Sequence, residues 1–261
     1  NTLPLLLRYR PEVIISVEFG MRTLQAALYC LIFRRTRFVV WAQISESTEQ
    51  ARGRLRYALR MFLTKRMDAV YVNGQSGRRY LQNNFGVPDQ KIFYSPITTD
   101  VGRFADVPVA RDTACAHRLL YAGQSIERKG LETFARTLGQ DCAQHAAQGY
   151  ELWLAGSGPL EKTIRQLPWP ANLQVKFLGD VAYDELPALY SQVGMMIFPT
   201  LADEWGLVTV EAMAAGVPVI GSVYAQSVEE LVRDGINGWT FAPDDSGQTI
   251  CAITRALETP I

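Results

Sequence analysis

Short apolar runs alternate with segments of helical periodicity along the whole chain. The runs have the length and the content of β-branched and aromatic residues that are typical of buried strands. They predict ten strands, at residues 13–17, 38–42, 69–73, 91–95, 118–122, 152–155, 174–178, 195–199, 218–221 and 239–242. Segments between them predict helices at residues 21–33, 51–67, 131–138, 160–166, 183–193, 207–215 and 227–233. This alternation predicts an α/β protein in which helices cover both faces of parallel sheets.

A stretch around Pro108 has neither pattern. It is irregular and charged, so we interpret residues 106–117 as a linker between a unit at residues 1–105 and a unit at residues 118–261. The formal net charge is +0, but residues 1–110 hold 16 Lys and Arg against 8 Asp and Glu, and the rest of the chain has the opposite balance. Such asymmetry favours two units with different partners.

The numbers and positions of the cysteines and histidines give no indication of a zinc-binding protein. The 4 cysteines are far apart and the chain has only 2 histidines, so no zinc-binding spacing is present. Free thiols in a reducing cytoplasm are the simplest interpretation. The apolar stretch at residues 24–33 is too short to span a bilayer, and Gln25 interrupts it.

Residues 202–222, ADEWGLVTVEAMAAGVPVIGS, carry the most specific pattern for a functional site. Asp203 and Glu211 are eight positions apart, and Glu211 is the one ionisable residue of an otherwise apolar predicted helix. A carboxylate inside such a helix is costly to bury unless a polar partner is present. Gly206 precedes the helix, where backbone N–H groups suit a phosphate. The pattern predicts an anion at the helix N-terminus with carboxylates beside it.

This run resembles the acidic signature of the retaining nucleotide-sugar glycosyltransferases of family four, which have the GT-B fold of two Rossmann-like, doubly wound domains. The resemblance implies that Asp203 bonds hydroxyls of the donor sugar, with Glu204 beside it as a second candidate, and that Glu211 bonds the ribose of the nucleotide. It implies that the diphosphate faces the backbone N–H groups of Gly206, Leu207 and Val208. A buried helix with acidic caps is the structural alternative.

The run LYAGQSIERKGLETF, at residues 120–134, continues the resemblance. The family carries an Arg and a Lys-Gly pair here, and the two cations neutralise the donor diphosphate. Lys129-Gly130 matches, Gln124 occupies the Arg slot, and Arg128 is a candidate to supply the second charge. Fixed cations suit this chemistry because negative charge develops on the leaving nucleoside diphosphate. The structural alternative is a solvated basic loop.

Two further segments add site residues by resemblance. VKFLGDVAYDELPALY, at residues 175–190, is similar to the segment that meets the nucleotide base, where the backbone of Val181 would bond the base edge. FVVWAQISESTEQ, at residues 38–50, ends a strand at the cleft, and relatives often carry a His near Gln43 that touches the donor sugar. Gln43 can hydrogen-bond but cannot act as a base, and we place it on the acceptor side.

The predicted helix at residues 51–67 is basic and amphipathic. It contains six cations and no acid: Arg52, Arg54, Arg56, Arg60, Lys65 and Arg66. Such a helix suits peripheral contact with an anionic membrane or with a lipid diphosphate acceptor. A solvated basic face is an equal alternative. No recognition module accompanies the helix, so we predict no nucleic-acid partner.

Together with the family resemblance, these residues predict a retaining, metal-independent glycosyltransferase of the hexosyltransferase type, and the resemblance implies Asp203, Glu204 and Lys129 as catalytic residues. It would need no cofactor, because the nucleotide sugar is its substrate, and its acceptor would be a glycan or a lipid-linked sugar in bacterial polysaccharide or glycoconjugate synthesis. The resemblance implies that the donor phosphate helps to deprotonate the acceptor on the same face of the sugar, which preserves the anomeric configuration. We expect a cytoplasmic location, with contact to the inner face of the plasma membrane through residues 51–67.

Two alternatives stay open. One is a nucleotide-sugar epimerase with the same fold, which would need more acids and histidines in its cleft. The other is a non-catalytic nucleotide-sugar-binding module or one half of a split enzyme. The first unit has about half the strand–helix pairs of a GT-B domain, and the chain stops before the C-terminal helix that crosses back to that domain. We therefore expect a fragment of a longer enzyme with a truncated N-terminal domain.

Overall fold

The computed structural model describes residues 2–50, 53–106, 115–144 and 149–259. The chain forms two compact units, unit 1 at residues 1–97 and unit 2 at residues 98–261. Each unit contains one parallel sheet and its own hydrophobic core.

Unit 1 holds four parallel strands in the order β1-β2-β3-β4. The strands are β1 Val13–Val17, β2 Arg37–Ala42, β3 Ala69–Val72 and β4 Ile92–Tyr94. The helices of this unit are α1 Leu3–Tyr9, α2 Met21–Ile32, α3 Arg54–Thr64 and α4 Gln75–Phe85. Each strand joins the next through one helix. Right-handed crossovers between strands that are added in one direction place those helices on one face of the sheet.

The two faces of the unit 1 sheet differ in burial, because alternate residues of a strand point to opposite faces. The core beneath the helices includes the strand residues Ile14, Phe38, Val40, Val70 and Val72. The opposite face exposes Val13, Ile15, Val17, Trp41, Tyr71 and Phe93. We call this second set the open face. It is apolar, Ile15 keeps 62% of its accessible surface, and no described element covers it.

Unit 2 holds six parallel strands in the order β10-β9-β8-β5-β6-β7. They are β5 Arg118–Ala122, β6 Tyr150–Ala155, β7 Leu173–Gly179, β8 Met195–Phe198, β9 Val219–Ser222 and β10 Gly238–Phe241. β5 pairs with both β6 and β8, and Leu119 lies opposite Met195. The chain winds outward from β5 to β7 and then in the other direction from β8 to β10. This is the doubly wound Rossmann order.

Helices cover both faces of the unit 2 sheet. They are α5 Val101–Ala105, α6 Leu131–Gln144, α7 Glu161–Arg165, α8 Leu186–Tyr190, α9 Leu207–Ala214, α10 Gln226–Leu231 and α11 Ser246–Glu258. One core cluster contains Phe134 of α6 and Ile253 of α11, and another contains Phe104 of α5, Tyr190 of α8 and Ala212 of α9. The predicted sandwich of helices around a parallel sheet is confirmed for this unit.

The predicted strands are all present, whereas the helices differ in part from their predictions. The sequence patterns do not predict α1, α4, α5 or α11. The helix predicted at residues 183–193 is a 3₁₀ turn followed by the short α8, which has Pro187 in its first turn, a position that proline favours. Within the described part of the chain, no helix combines the length and hydrophobicity that a bilayer crossing needs.

The division between the units falls at Ile97 and Thr98, before the predicted boundary at residue 105. The reason is that α5 packs against α8 and α9, and Arg103 of α5 forms an ion pair with Asp184. Of the predicted linker, residues 107–114 lie outside the described chain, and Cys115–His117 form a 3₁₀ turn that leads into β5.

Candidate functional site

The candidate site of unit 2 lies at the centre of its sheet, where the strand order reverses between β5 and β8. The segments that follow these strands are the β5 loop, residues 123–130, and the β8 loop, residues 199–206. Both loops leave the same edge of the sheet because the two strands are parallel. In open α/β sheets, ligands bind outside the carboxyl ends of the strands at such a switch point. Most of the predicted site residues are in these two loops.

Hydrogen bonds and close packing hold the two loops together. The N–H of Leu201 donates to the carbonyl of Arg128 at 2.8 Å, and the hydroxyl of Thr200 donates to the same carbonyl at 3.1 Å. Gly130 has a left-handed backbone (φ +65°), and a Cβ at this position would overlap the carbonyl oxygen of Pro199. A glycine after Lys129 is therefore what allows the β5 loop to approach the β8 loop.

Lys129 and Asp203 form an ion pair where the loops meet. The Lys129 ammonium lies 2.5 Å from Asp203 Oδ2, and Asp203 Oδ1 accepts the N–H of Trp205 at 3.2 Å. Asp203 is buried, at 8% exposure. The site therefore holds a lysine at the carboxyl edge of the sheet with its charge balanced by a shielded carboxylate.

Arg128 and Glu204 flank this ion pair. Arg128 Nη1 lies 3.8 Å from Asp203 Oδ2 and donates to the carbonyl of Ala202 at 2.7 Å, and nearly half of the Arg128 side chain is exposed. Glu204 is half-buried, and its carbonyl accepts the side-chain amide of Gln226 at 2.6 Å. The second predicted cation and the second predicted acid thus lie next to the ion pair.

The α9 helix begins directly after the β8 loop. Its N-cap is Gly206, which has φ +96°, and the ring of Phe198 occupies the space that a Cβ would need. The first N–H groups of a helix have no acceptor inside the helix, and the aligned peptide dipoles give this end a partial positive charge. In α9 these groups include the N–H of Leu207 and that of Val208. This terminus therefore has the geometry that binds an anion.

Glu211 lies one turn further along α9 and is 4% exposed. The hydroxyl of Tyr190, on α8, donates to Glu211 Oε2 at 3.2 Å. Burial raises the pKa of Glu211, and the hydrogen bond from Tyr190 offsets part of that rise. Burial and the nearby Glu211 also raise the pKa of Tyr190 well above its ordinary value, so its hydroxyl remains a donor.

Tyr190 is a residue of the site that the sequence interpretation missed. The sequence offers one indication of its role. Tyr190 ends the apolar run LPALY, and a buried tyrosine hydroxyl usually needs a polar partner. The partner could not be identified, since Glu211 belongs to a different element.

A cavity of about 300 Å³ opens beside Glu211, near the lower end of the range for small-molecule sites. Its lining includes the predicted residues Gln124, Val181, Val208 and Glu211. The hydroxyl of Tyr121 donates to the carbonyl of Gln124 at 2.7 Å and fixes the start of the β5 loop. The cavity combines backbone, apolar side chains and two carboxyl groups, those of Asp180 and Glu211.

Unit 2 thus gathers its predicted site residues into two adjoining groups. The charged group contains Lys129, Arg128, Asp203 and Glu204, and the cavity group contains Gln124, Val181, Val208 and Glu211. The first turn of α9 belongs to both, because it follows the β8 loop and contributes Val208 to the cavity wall. Gln43 is in unit 1, where it follows β2 and its N–H donates to Glu18 Oε1 at 2.8 Å.

The basic helix of unit 1 differs from its prediction at Arg60. This side chain is buried, and its guanidinium donates to the carboxylate of Glu49 and the hydroxyl of Tyr80. Arg54 and Arg56 of α3 are exposed, and Arg52 lies outside the described residues. The exposed basic surface of α3 is therefore smaller than the sequence predicts.

The spacing of cysteines and histidines in the sequence predicts no zinc site. In the described ranges, no group of three or more His, Cys, Asp and Glu side chains could hold a metal ion. His117 packs edge-on against the ring of Tyr150 at 5.5 Å, at the end of β5 opposite to the β5 loop. His145 lies outside the described residues. Metal independence stays a prediction.

Comparison with known proteins gives a family match over more than half of the chain. The model of the family described as Glycosyl transferases group 1 matches residues 116–259. That range contains both strands of the switch point, the whole of α9 and every predicted site residue except Gln43.

Curated relatives match the chain over part of their length. A GDP-mannose-dependent alpha-(1-6)-phosphatidylinositol monomannoside mannosyltransferase of Mycobacterium tuberculosis is 31% identical over 169 residues, which are 59% of this chain and 43% of the relative. A putative colanic acid biosynthesis glycosyltransferase of Salmonella typhimurium is 27% identical over 179 residues, which are 65% and 42% of the two chains. The matches thus span less than half the length of these relatives.

Solved structures resemble nearly the whole chain. HepE from Anabaena, in complex with UDP and glucose, has a TM-score of 0.71 at 18% identity, and the match covers 98% of this chain and 71% of that chain. The apo form of a lipopolysaccharide outer core galactosyltransferase has a TM-score of 0.74 at 16% identity, with 98% and 69% covered. These likenesses confirm the predicted α/β GT-B fold class.

Proposed function

Because this chain belongs to the Glycosyl transferases group 1 family, we propose that it transfers a sugar from a nucleoside diphosphate to an acceptor hydroxyl with retention of configuration. The observation that carries this proposal is the meeting of Lys129, Asp203 and the first turn of α9 beside the cavity that contains Glu211. A nucleoside diphosphate needs acceptors for its ribose hydroxyls, and donors and a cation for its phosphates. This arrangement supplies all three.

The proposed donor pose assigns one part of the nucleotide to each group of residues. Glu211 accepts hydrogen bonds from the ribose hydroxyls, and the backbone at Val181 bonds the base edge. Gln124 lines the same cavity. The diphosphate binds the N–H groups at the start of α9, and its charge is neutralised by Lys129 and Arg128.

The Lys129–Asp203 pair serves two purposes in this proposal. A carboxylate has about four lone-pair sites. Asp203 can therefore hold Lys129 and the N–H of Trp205 and still accept a hydrogen bond from a hydroxyl of the donor sugar. Glu204 is the second acid that orients the sugar. Neither acid forms a covalent bond with it.

In the proposed reaction, the bond between the anomeric carbon and the diphosphate oxygen breaks. The acceptor oxygen bonds that carbon on the same face, and the acceptor proton passes to an oxygen of the departing diphosphate. Lys129 and the N–H groups of α9 stabilise the negative charge that develops on the diphosphate, so their contribution is larger in the transition state than in the donor complex.

The names of similar proteins support a nucleotide sugar as the donor, but they name different nucleotides and different sugars. One relative is GDP-mannose-dependent, one similar structure holds UDP, and another relative is named for colanic acid biosynthesis. We therefore propose a nucleotide-sugar donor and a glycan or lipid-linked acceptor in polysaccharide synthesis. A cytoplasmic location and membrane contact through residues 51–67 stay predictions.

The donor site is tested by measuring the affinity of UDP and of GDP for the wild type and for Glu211→Gln and Lys129→Met. We expect each substitution to weaken binding of the preferred nucleotide by about tenfold or more, which corresponds to about 1.4 kcal/mol. Glu132→Gln is the matched control, because Glu132 forms a surface pair with Arg136. Unchanged affinity in Glu211→Gln would overturn the ribose assignment.

Turnover separates the transferase from its two alternatives. UDP-glucose and GDP-mannose are incubated with and without glycan and lipid-linked acceptors, and release of nucleoside diphosphate is followed. Release that depends on an acceptor supports the transferase. Interconversion of the sugar without an acceptor would indicate an epimerase, and nucleotide binding without either reaction would indicate a non-catalytic module.

A further inference from the structure

Unit 1 has a cluster of arginines at the amino edge of its sheet, opposite to the edge where its strands end. The cluster, which we call the arginine edge, consists of Arg10, Arg34, Arg35 and Arg37. Arg10 follows α1, Arg34 and Arg35 lie between α2 and β2, and Arg37 is the first residue of β2. All four line one open cavity of about 540 Å³. None of them has a part in the proposed transfer.

Hydrogen bonds fix the segments that carry the arginine edge. The hydroxyl of Thr36 donates to the carbonyl of Pro11 at 2.9 Å, which ties the end of the α1 segment to the start of β2. At the other end of α1, the N–H of Thr2 donates to Gln25 Oε1 at 2.9 Å. α1 therefore contacts α2, and both helices end next to the arginines, α1 at Tyr9 and α2 at Ile32.

Both helices expose apolar side chains, which together we call the α1–α2 surface. Its exposed side chains include Leu5, Leu7 and Tyr9 of α1 and Leu28, Leu31 and Ile32 of α2. Ile32 keeps 75% of its accessible surface. A patch of this kind in contact with water is unfavourable and usually marks an interaction site.

The charge around this patch is strongly positive. Neither α1 nor α2 contains an acidic residue, and α1 adds the exposed Arg8. The acids at the arginine edge are Glu12, which is exposed and lines the cavity, and Asp68, which pairs with Arg37 at 3.1 Å. The arginines therefore outnumber these acids, and they border leucine and isoleucine side chains.

We propose that the α1–α2 surface and the arginine edge dock unit 1 on an anionic lipid bilayer. Apolar side chains inserted at the boundary of headgroups and acyl chains, flanked by arginines at the phosphates, are the physical requirements of peripheral membrane binding. This surface is an alternative to α3, which belongs to the segment at residues 51–67 that the sequence predicts as the membrane contact and whose Arg60 is buried against Glu49. It is independent of the donor site, which lies in unit 2.

The test is sedimentation of the chain with vesicles of phosphatidylcholine alone and of phosphatidylcholine with about 30% phosphatidylglycerol. We expect binding to the anionic vesicles only. Arg34→Glu combined with Arg35→Glu should reduce the partition coefficient by about tenfold or more, because each basic residue near such a surface contributes substantially. Leu31→Ser combined with Ile32→Ser should also weaken binding, while the affinity for UDP and GDP stays unchanged.

The matched control is Arg54→Glu combined with Arg56→Glu, which reverses the same number of charges on the exposed part of α3. It should keep most of the binding. Loss of binding in this control, with no loss in the Arg34 and Arg35 variant, would overturn the proposal in favour of α3. Equal loss in both, or binding to heparin but not to vesicles, would overturn it as well. Circular dichroism melts of every variant exclude unfolding as the cause.

Discussion

Glu211, the proposed ribose-binding residue, shows how a buried carboxyl group can destabilise a protein that has no ligand bound. It is the only carboxylate of α9, it is almost completely buried, and Tyr190 donates one hydrogen bond to it. Burial raises its pKa from the ordinary value of 4.5. A carboxyl group with a raised folded-state pKa binds its proton more tightly in the folded protein. Stability therefore falls as the pH rises from 4.5 through the raised pKa.

We expect Glu211→Gln to raise the melting temperature of the empty protein at neutral pH by a few degrees while it weakens nucleotide binding. The amide keeps an acceptor for the hydroxyl of Tyr190 and has no charge to desolvate. The gain should shrink as the pH falls towards 4.5, because the wild-type side chain then also becomes neutral. Thermal melts across this pH range measure the effect. A variant less stable than the wild type at every pH would contradict it.

At the residue scale, the spacing of residues in the sequence predicts which side chains belong to the candidate site, but not which side chains contact them. Glu211, Gly206 and Lys129 stand out because each belongs to a short pattern along the chain. The partner of a buried group is often far away in sequence, as Tyr190 is from Glu211, and no local pattern reveals it. For the same reason Arg60 reads as part of a solvated basic face, although its charge is buried against Glu49.

At the element scale, α5 is a helix that the sequence does not predict, although it contributes to the hydrophobic core of unit 2. It has only five residues and is followed by the irregular, charged stretch at residues 106–117, so its periodicity is too short to detect. Phe104 is nevertheless completely buried and packs edge-on against the rings of Tyr183 and Tyr190. Through Tyr190, α5 supports the element that holds Glu211.

We expect Phe104→Ala to destabilise unit 2 by about 3–5 kcal/mol, because it leaves a cavity against α8 and α9. Urea unfolding of the whole chain, followed by tryptophan fluorescence, measures this loss, since Trp41 is the only one of the 5 tryptophans in unit 1. Val101→Ala, at an exposed position of the same helix, is the control and should change stability little. A loss below about 1 kcal/mol for Phe104→Ala would contradict the packing role of α5.

The strands were predicted more completely than the helices for a physical reason. A strand of a parallel sheet that is covered on both faces is a continuous apolar run, as in β8 and β9, where every residue is buried. Short helices such as α5 and α8 make only one turn or slightly more, and α8 owes its start to Pro187. Their existence depends on the surfaces against which they pack, which the sequence of the helix itself does not contain.

At the scale of the whole molecule, the two units differ in how completely their sheets are covered. The sheet of unit 2 has core clusters on both faces, whereas the open face of unit 1 exposes Ile15, Trp41 and Tyr71 to water. Contiguous apolar surface of this kind mediates association when it is not covered.

We expect Ile15→Lys combined with Tyr71→Lys to lower the binding of a hydrophobic fluorescent dye and the concentration-dependent light scattering of this chain. Both side chains point to the open face, so their replacement should leave the melting temperature nearly unchanged. Ile14→Lys is the informative comparison, because Ile14 is the neighbour of Ile15 and points into the core of unit 1. It should unfold the unit. An equal fall in melting temperature for the Ile15 and Tyr71 variant and for Ile14→Lys would contradict the assignment of the two faces.

The order of the strands also has a consequence for how unit 2 folds. β5, β6 and β7 pair with neighbours in sequence, and so do β8, β9 and β10, but β5 pairs with β8 although β6 and β7 lie between them in the sequence. Contacts between distant positions form slowly, because the entropy of closing a long loop is lost before the contact stabilises the chain. The loops that follow β5 and β8 also carry the Lys129–Asp203 ion pair, so this pair depends on the pairing of the two strands. We therefore expect the ability to bind a nucleotide to appear in the last kinetic phase of refolding, after most of the secondary structure has formed.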